Sequence, residues 1–498
     1  METDAERHPG SDTSPAVAET HLSTVFLVGG QAYKVLKPVA FEFVDLSTSQ
    51  ARRSACEREV ALNRRIAPDI YLGVATYEPH DGGESEPVIV MKRMPAGRSL
   101  EHLVRSGADA TECVRQVART VAAFHADADR SAAVTDRARP DVVRRRWQEN
   151  ISELRRVGHV LGPTTLEELD AVDTLGQRYL SGRGPLLDRR ISEGAVCDGH
   201  GDLLAADIYC LDDAPRILDC LAFRDDFRSV DVIADVAFLA MDLERLGRAG
   251  LARQLLDDYR EFSGDTAPAS LTEHALCDRA LIRSKVAALR AIGGGTQGSP
   301  EAVALLAAAA DHADRARVRM VLVGGLPGTG KTTLASGLAD DTGFVLLRSD
   351  TIRRELARES GISYDDSSKD SVYDEMLRRA GTLLANGESV VLDASWTARR
   401  HRQEAEVVAE HTMTDVIALR TDLPREVAFE RIEQRQAQGT DESQATPAVA
   451  SELARVADPW PDAHVLDTLR SAAETQRGAR ALVGAIPGGW VDTRPEIS

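Results

Sequence analysis

Aromatic side chains are scarce in this sequence, at 4% of its 498 positions, so its cores must rest on Ala, Leu and Val. No run of 18 apolar residues occurs, which excludes an ordinary membrane-spanning helix. Net positive charge is lacking too. The formal charge of −19 argues against non-specific binding to nucleic acid or to an anionic membrane, both of which need a basic face. A small basic pocket for phosphates remains compatible with it. The six cysteines form no C-x-x-C pair and no cluster with histidines, so a zinc site is not expected. Buried, reduced thiols in a cytoplasmic protein are. The opening METDAERHPGSDTSPAVAET lacks the basic-then-apolar layout of a signal peptide and reads as a disordered tail over residues 1–20.

What is present is a soluble-type composition, 43% apolar and 28% charged, over a length that calls for two or three domains. The most specific stretch is Met320–Thr333, MVLVGGLPGTGKTT. Gly325, Gly330, Lys331 and Thr332 fall on the G-x-x-x-x-G-K-[ST] pattern of a phosphate-binding loop, after an apolar strand and before a helix. Here the glycines Gly325, Gly328 and Gly330 let the backbone turn tightly and offer bare N–H groups to an anion. Leu326, Pro327, Thr329 and Thr333 complete the cradle. A helix beginning near Lys331 adds its positive end. Lys331 would reach the β- and γ-phosphates of ATP, and the Thr332 hydroxyl would meet Mg²⁺.

Upstream, Thr24–Val28 and Gln31–Leu36 read as a hairpin about Gly29-Gly30, with Lys34 inside its second strand. A charged helix over 50–65 offers Glu57 and Glu59 as partners for Lys34. Glu86–Met94 reads as a strand, and 110–128 as a helix. Within GHGDLLAADIYCLDDAPRILDCLAF, Asp202, Asp207 and Asp219 are spaced like the catalytic loop and later metal-binding Asp of kinases. Such a site needs a carboxylate for the acceptor hydroxyl and oxygen ligands for Mg²⁺. A helix over 231–241 carries Asp231 and Asp235. Residues 293–299 form a glycine-rich break before a helix over 300–318.

These residues resemble the aminoglycoside phosphotransferase family, a small-molecule branch of the protein-kinase-like fold. The resemblance implies a bilobal α+β domain over 21–310. It makes Lys34 the phosphate-pairing lysine, with Glu59 as its partner and Glu57 as runner-up, and places 88–94 beside the adenine. Asp202 takes the catalytic position, and Asp207 and Asp219 take metal positions. Three departures stand out: Asp207 replaces the family's usual Asn, Leu204 a common His, and no glycine-rich flap precedes the first strand.

From 311 onward, strands at 344–348, 390–392, 416–419 and 465–466 alternate with helices, implying an α/β domain with a five-stranded parallel sheet. This half resembles the P-loop kinases related to gluconate kinase, zeta toxin and polynucleotide kinase. The resemblance makes Asp350 the acceptor base and Arg353 a substrate arginine. Asp393, with Arg399 or Arg400, would bind substrate and metal, and Arg431 and Arg435, before a polar loop, would be lid arginines. Over nearly its whole length the chain resembles bacterial proteins that fuse an aminoglycoside-phosphotransferase-like domain to an ATP-binding domain. The expectation is a bifunctional phosphotransferase acting with ATP and Mg²⁺ on a small hydroxyl or amino acceptor. Two alternatives stand beside it: a catalytic P-loop domain with a regulatory first domain, and a nucleotide-dependent switch acting on a partner protein.

Overall fold

A computed structural model describes residues 14–19, 22–41, 44–80, 84–294, 296, 298–360, 366–438 and 446–487. Two compact units interleave along the chain. The first draws on Met1–Arg145 and Arg190–Thr266, the second on Arg146–Arg189 and Ala267–Gly489. This division follows packing, whereas the sequence division at 310 is linear.

The first unit opens on a five-stranded antiparallel sheet. Its strands are β1 (Ala16–Glu19), β2 (Ser23–Val28), β3 (Gln31–Leu36), β4 (Tyr71–Tyr77) and β5 (Glu86–Lys92), in the order β1-β2-β3-β5-β4. Strand β1 corrects the expectation of a disordered stretch through residue 20. Val17 and Ala18 pair with Phe26 and Val25 of β2, so backbone pairing orders this segment although every residue of it stays exposed. Residues 1–13 lie outside the described ones. Side chains alternate along β3, so Ala32, Lys34 and Leu36 share a face. Ala32 and Leu36 are buried in a core with Cys56, Val60, Ile70 and Ile89, which carries Lys34 to the same side. The helix Ser49–Asn63 covers that face with Arg52, Cys56, Glu59, Val60 and Asn63, an i, i+4, i+7 stripe. Glu57 projects to the exposed side.

Later in this unit come three-residue strands: β6 (Val196–Asp198), β7 (Ile208–Cys210), β8 (Pro215–Ile217) and β9 (Ser229–Asp231). Strands β7 and β8 form the expected hairpin, with Ile208 opposite Ile217. The apolar helix Val232–Arg245 follows, N-capped by Asp231. A second correction concerns cysteine. Cys113, on the helix Thr111–Asp127, is disulfide-bonded to Cys210 of β7, 97 residues away, while Cys56, Cys197, Cys220 and Cys277 are buried free thiols. Spacing along the sequence could not show this pair, because the fold alone brings the two elements together.

The second unit carries a parallel sheet, ordered β11-β12-β10-β13-β14. Its strands are β10 (Arg319–Gly324), β11 (Val345–Arg348), β12 (Val390–Asp393), β13 (Asp415–Asp422) and β14 (His464–Asp467). All six residues of β10 and all four of β12 are buried. Helices on both faces account for that, and for the near-continuous apolar runs. Val321, Val323, Leu334, Leu338, Val391 and Leu419 form a core. Each fully buried aliphatic side chain there contributes about 1.5–3 kcal/mol. The helices Pro163–Gly182, Ala269–Gly293 and Pro300–Arg315 belong to this unit. Residues 295 and 297, within the expected glycine-rich break, lie outside the described residues. Among the described residues no helix is long and apolar enough to cross a membrane.

Candidate active sites

In the first unit, Lys34 lies inside the sheet, and its ammonium meets two carboxylates. Nζ donates to Glu59 Oε1 at 2.8 Å and to Asp219 Oδ1 at 2.9 Å. Burial opposes the charge on Lys34, but Asp219 and Glu59 outweigh it and hold the ammonium well above its ordinary range. Burial raises the Glu59 carboxyl, whereas the Lys34 charge lowers that of Asp219. Asp219 has φ +65, a left-handed conformation that costs a non-glycine residue energy. Its neighbours fix it there. The Asp219 N–H donates to Tyr71 Oη at 3.2 Å, and the Cys220 N–H donates to Asn63 Oδ1 at 2.8 Å.

Asp202 follows a loop whose backbone is gripped from below. Asp235 accepts from the N–H groups of His200 (2.6 Å) and Gly201 (2.8 Å), and Asp242 accepts from that of Ala205 (2.9 Å). Both carboxylates come from the Val232–Arg245 helix, seven residues apart on one face. An ionised carboxylate only accepts, so His125 Nε2 carries the proton it shares with Asp235 at 3.0 Å. His125 Nδ1 and the Tyr259 hydroxyl share a further hydrogen bond of 2.8 Å. Burial alone would raise Asp235, but its bond from His125 holds it below the usual carboxylate range. Asp207 sits just beyond this loop. Burial, then the charges of Asp219 and Asp202, push its carboxyl well above the ordinary range. The structure thus brings Lys34, Glu59, Asp207 and Asp219 into one electrostatic cluster with Asp202 beside it. His125, Asp235, Asp242 and Tyr259 carry no motif, and sequence reasoning gave none of them a role.

In the second unit the phosphate loop follows β10 directly. Gly325, Gly328 and Gly330 all have positive φ. A Cβ on Gly325 would stand 2.4 Å from Thr421 Oγ1, and one on Gly328 2.5 Å from the Ala428 carbonyl, so only glycine fits. Three threonines pin the loop. Thr329 and Thr421 share a hydrogen bond of 2.7 Å, Thr421 donates to the Gly324 carbonyl at 3.0 Å, and Thr468 donates to the Thr329 carbonyl at 2.8 Å. The helix Lys331–Thr342 starts at Gly330 and aims its N-terminus at the cradle. Lys331 Nζ folds onto the Leu326 carbonyl at 3.1 Å, and burial lowers its pKa.

Thr332 Oγ1 donates to Asp393 Oδ2 at 2.8 Å. Asp393 ends β12, is 5% exposed, and has its carboxyl raised by burial. Its arginine is Arg348 of β11, at 3.6 Å. This replaces the expectation of Arg399 or Arg400: both are exposed on the helix Arg399–His411, and Arg400 pairs with Asp370. Asp350 and Arg353 pair at 2.8 Å on the first turn of the helix Ser349–Ser360. Asp350 is close enough to Lys331 and Asp393 to act on their charges. Arg431 donates to the Thr468 carbonyl at 3.1 Å, and Arg435 follows one turn later. Of the polar loop expected after them, 438–446, residues 439–445 lie outside the described ones. Sequence reasoning missed Tyr373, whose hydroxyl accepts from the Trp396 N–H at 3.1 Å and bonds Ser395, and whose ring stacks on His401. Together these clamp the turn after Asp393.

A family profile described as an AAA domain matches residues 320–460. An uncharacterized protein of Mycobacterium tuberculosis, with a counterpart in Mycobacterium bovis, is 38% identical over 475 residues, 93% of this chain and 94% of its own length. The chain belongs to one family with these mycobacterial proteins. A cytidylate kinase of Methanobrevibacter smithii is 29% identical over 127 residues, 24% of this chain and 67% of its own. Among solved structures, a sugar kinase from Janibacter is 26% identical, covering 34% of this chain and 96% of its own with a TM-score of 0.27. Residues 320–460 of the second unit thus match that AAA-domain profile, and the unit holds a P-loop before a helix in a parallel α/β sheet. The fit to nucleotide rests on its own residues: a cradle that admits only glycine at 325 and 328, a helix N-terminus, and two hard oxygen donors 2.8 Å apart. Mg²⁺ needs no more than one or two protein oxygens beside phosphate and water. Among the described residues no group of three or more His, Cys, Asp or Glu forms a metal cluster.

Proposed function

We propose that this protein is an ATP-dependent phosphotransferase with two kinase-type sites, each acting on a small-molecule hydroxyl or amino group. The observation that carries the reading is the convergence of Lys331, Thr332, Asp393 and Asp350 at the carboxyl ends of β10, β11 and β12, where ligands of open α/β sheets bind. Lys331 and the loop amides hold the β- and γ-phosphates, and Thr332 and Asp393 hold Mg²⁺. The bound cation would neutralise charge that develops on the transferred group. Asp350 takes the acceptor proton while Arg353 orients it, and Arg431 and Arg435 close on the phosphates. An acceptor base favours chemistry over a switch that only hydrolyses nucleotide.

In the first unit the aminoglycoside-phosphotransferase-like reading is supported by the Lys34–Glu59 pair and by Asp219 placed against the same ammonium. Asp202 would hold the acceptor hydroxyl, and Asp207 and Asp219 would hold Mg²⁺. A regulatory first domain is the second reading, and Leu204 and Asp207 at the departing positions favour it. The test is ATP consumption by the intact chain against sugars, amino sugars, aminoglycosides and nucleosides, with Lys331→Ala and Asp219→Ala compared. Turnover that survives Asp219→Ala but not Lys331→Ala leaves only the second site catalytic. Turnover with no acceptor from any class sinks the transferase reading.

A further inference from the structure

At the opposite end of the parallel sheet from the phosphate loop, where β10 and β13 begin, lies a groove of about 390 Å³. Arg178, Arg317 and Arg319 line it with Asp314 and Asp415, and Val416, Ile417, Leu482 and Val483 add apolar surface to the lining. Its size is that of a small-molecule site.

The charges in it do not balance. Asp415 is shared: Oδ1 pairs with Arg178 at 2.9 Å and Oδ2 with Arg317 at 2.7 Å. Asp314 pairs with Arg317 at 2.8 Å. Arg319, 2% exposed, donates only to the carbonyls of Arg317 (2.8 Å) and Asp314 (3.2 Å) among its described hydrogen bonds. Three guanidiniums thus face two carboxylates, and Arg480 adds its charge beside Arg319. A narrower cleft runs on from the groove past Arg178, Arg317 and Asp415 to Arg183, which is 1% exposed. Arg183 is held by the carbonyls of Leu384 and Thr412, and its Nε has no hydrogen-bond partner. Burial lowers both Arg183 and Arg319 to about 10. Keeping buried guanidiniums charged is costly without an anion to meet them. The lining also exposes apolar side chains, Val416 at 36% and Leu482 at 37%.

We infer that this groove binds an organic phosphomonoester, its phosphate on Arg317 and Arg319 and its carbon body on Val416 and Leu482. Guanidinium groups suit phosphate through paired N–H donors. The site is separate from the nucleotide cradle and does not depend on the phosphotransferase reading. Both strands that start in the groove end at the phosphate loop, β10 at Gly324 and β13 beside Thr421.

The test is calorimetric titration of the full chain with phenyl phosphate, compared with inorganic phosphate, using Lys331→Ala to silence the cradle. Phenyl phosphate should bind saturably in Lys331→Ala, and tighter than inorganic phosphate because of the apolar lining. Arg317→Gln in that background should weaken binding about tenfold or more, while Arg317→Lys should retain part of it. Should Arg317→Gln melt early, Leu482→Asp in the apolar lining serves instead, and it should weaken phenyl phosphate more than inorganic phosphate. Absence of saturable phenyl phosphate binding overturns the inference. So does binding that Lys331→Ala removes, or that both groove substitutions leave unchanged.

Discussion

A single lysine illustrates how far one residue can be read. Strand alternation puts Lys34 on the face of Ala32 and Leu36, and the helix stripe puts Glu59 but not Glu57 opposite it. Both steps agree with periodicity, but the residues alone left Glu57 and Glu59 open, and only the family resemblance preferred Glu59. The network of His125, Asp235 and Tyr259 was not legible in the sequence, because His125 lies 110 and 134 residues from its two partners and none of the three lies in a motif. Lys34→Ala tests the energetics. It leaves the buried Glu59 carboxylate, 4% exposed, without its cation, and removal of one partner of a buried pair costs about 3–5 kcal/mol. Adding Glu59→Gln should recover much of that loss in urea unfolding of the first unit. A single-variant cost below about 1 kcal/mol would contradict the buried pair. At the second site, Asp350→Asn keeps shape and hydrogen bonding but cannot take a proton. Transfer should fall roughly 10²–10⁴-fold with ATP affinity held, as for loss of a general base. Equal turnover would reassign Asp350 to structure and move the weight to Asp393.

Elements fix what residues cannot fix alone. The phosphate loop announces itself by its glycines, yet its rigidity comes from Thr421 at the end of β13 and Thr468 just past β14. Those threonines are far from the motif and unremarkable in type, so sequence reasoning had no means to assign them. Thr421→Val keeps the volume and removes hydrogen bonds to Gly324 and Thr329. A loss of about 1–3 kcal/mol in stability is expected, along with weaker nucleotide binding by calorimetry, because the loop would sample open conformations. Unchanged nucleotide affinity would show that the glycines suffice. A second element, the helix Ala269–Gly293, carries His274 stacked between Trp147 (5.2 Å) and Tyr179 (4.5 Å). Burial lowers this imidazole from 6.5 to about 4, so the fold requires its neutral form. The unfolded chain then binds the proton first as pH falls. Stability contributed by His274 is complete above about pH 6.5 and is lost progressively down to about pH 4, roughly 3 kcal/mol in all. His274→Phe keeps a ring in the stack and cannot titrate. Its unfolding free energy should fall less steeply than wild type across that window, and parallel curves would remove His274 from the acid response.

At the scale of the whole molecule, the chain crosses between its two compact units at 145/146, 189/190 and 266/267. The linear order of motifs gave no sign of this, because helices over 146–189 and 267–315 read alike whichever core they join. Packing assigns them. Ser270 donates to the Gly387 carbonyl at 2.7 Å, Arg183 bonds the Leu384 and Thr412 carbonyls, and Ala316 and Val318 continue the same buried layer into β10. Within the Ala269–Gly293 and Pro300–Arg315 helices, Glu273 meets His312 at 2.7 Å and Arg315 at 3.1 Å, both contacts buried or nearly so. A fragment of residues 311–498 keeps every strand of the parallel sheet and the whole phosphate loop, but loses this helical layer. Apolar surface that the layer covers would face water, at about 25 cal/mol per Å². The carbonyls of Leu384, Gly387 and Thr412 would also exchange buried donors for solvent. The fragment should therefore bind nucleotide weakly or aggregate, and amides of β12 should exchange with deuterium orders of magnitude faster than in the intact chain. Equal protection of β12 in fragment and intact chain would mean that the sheet is self-sufficient, and that the helical layer merely rests on it.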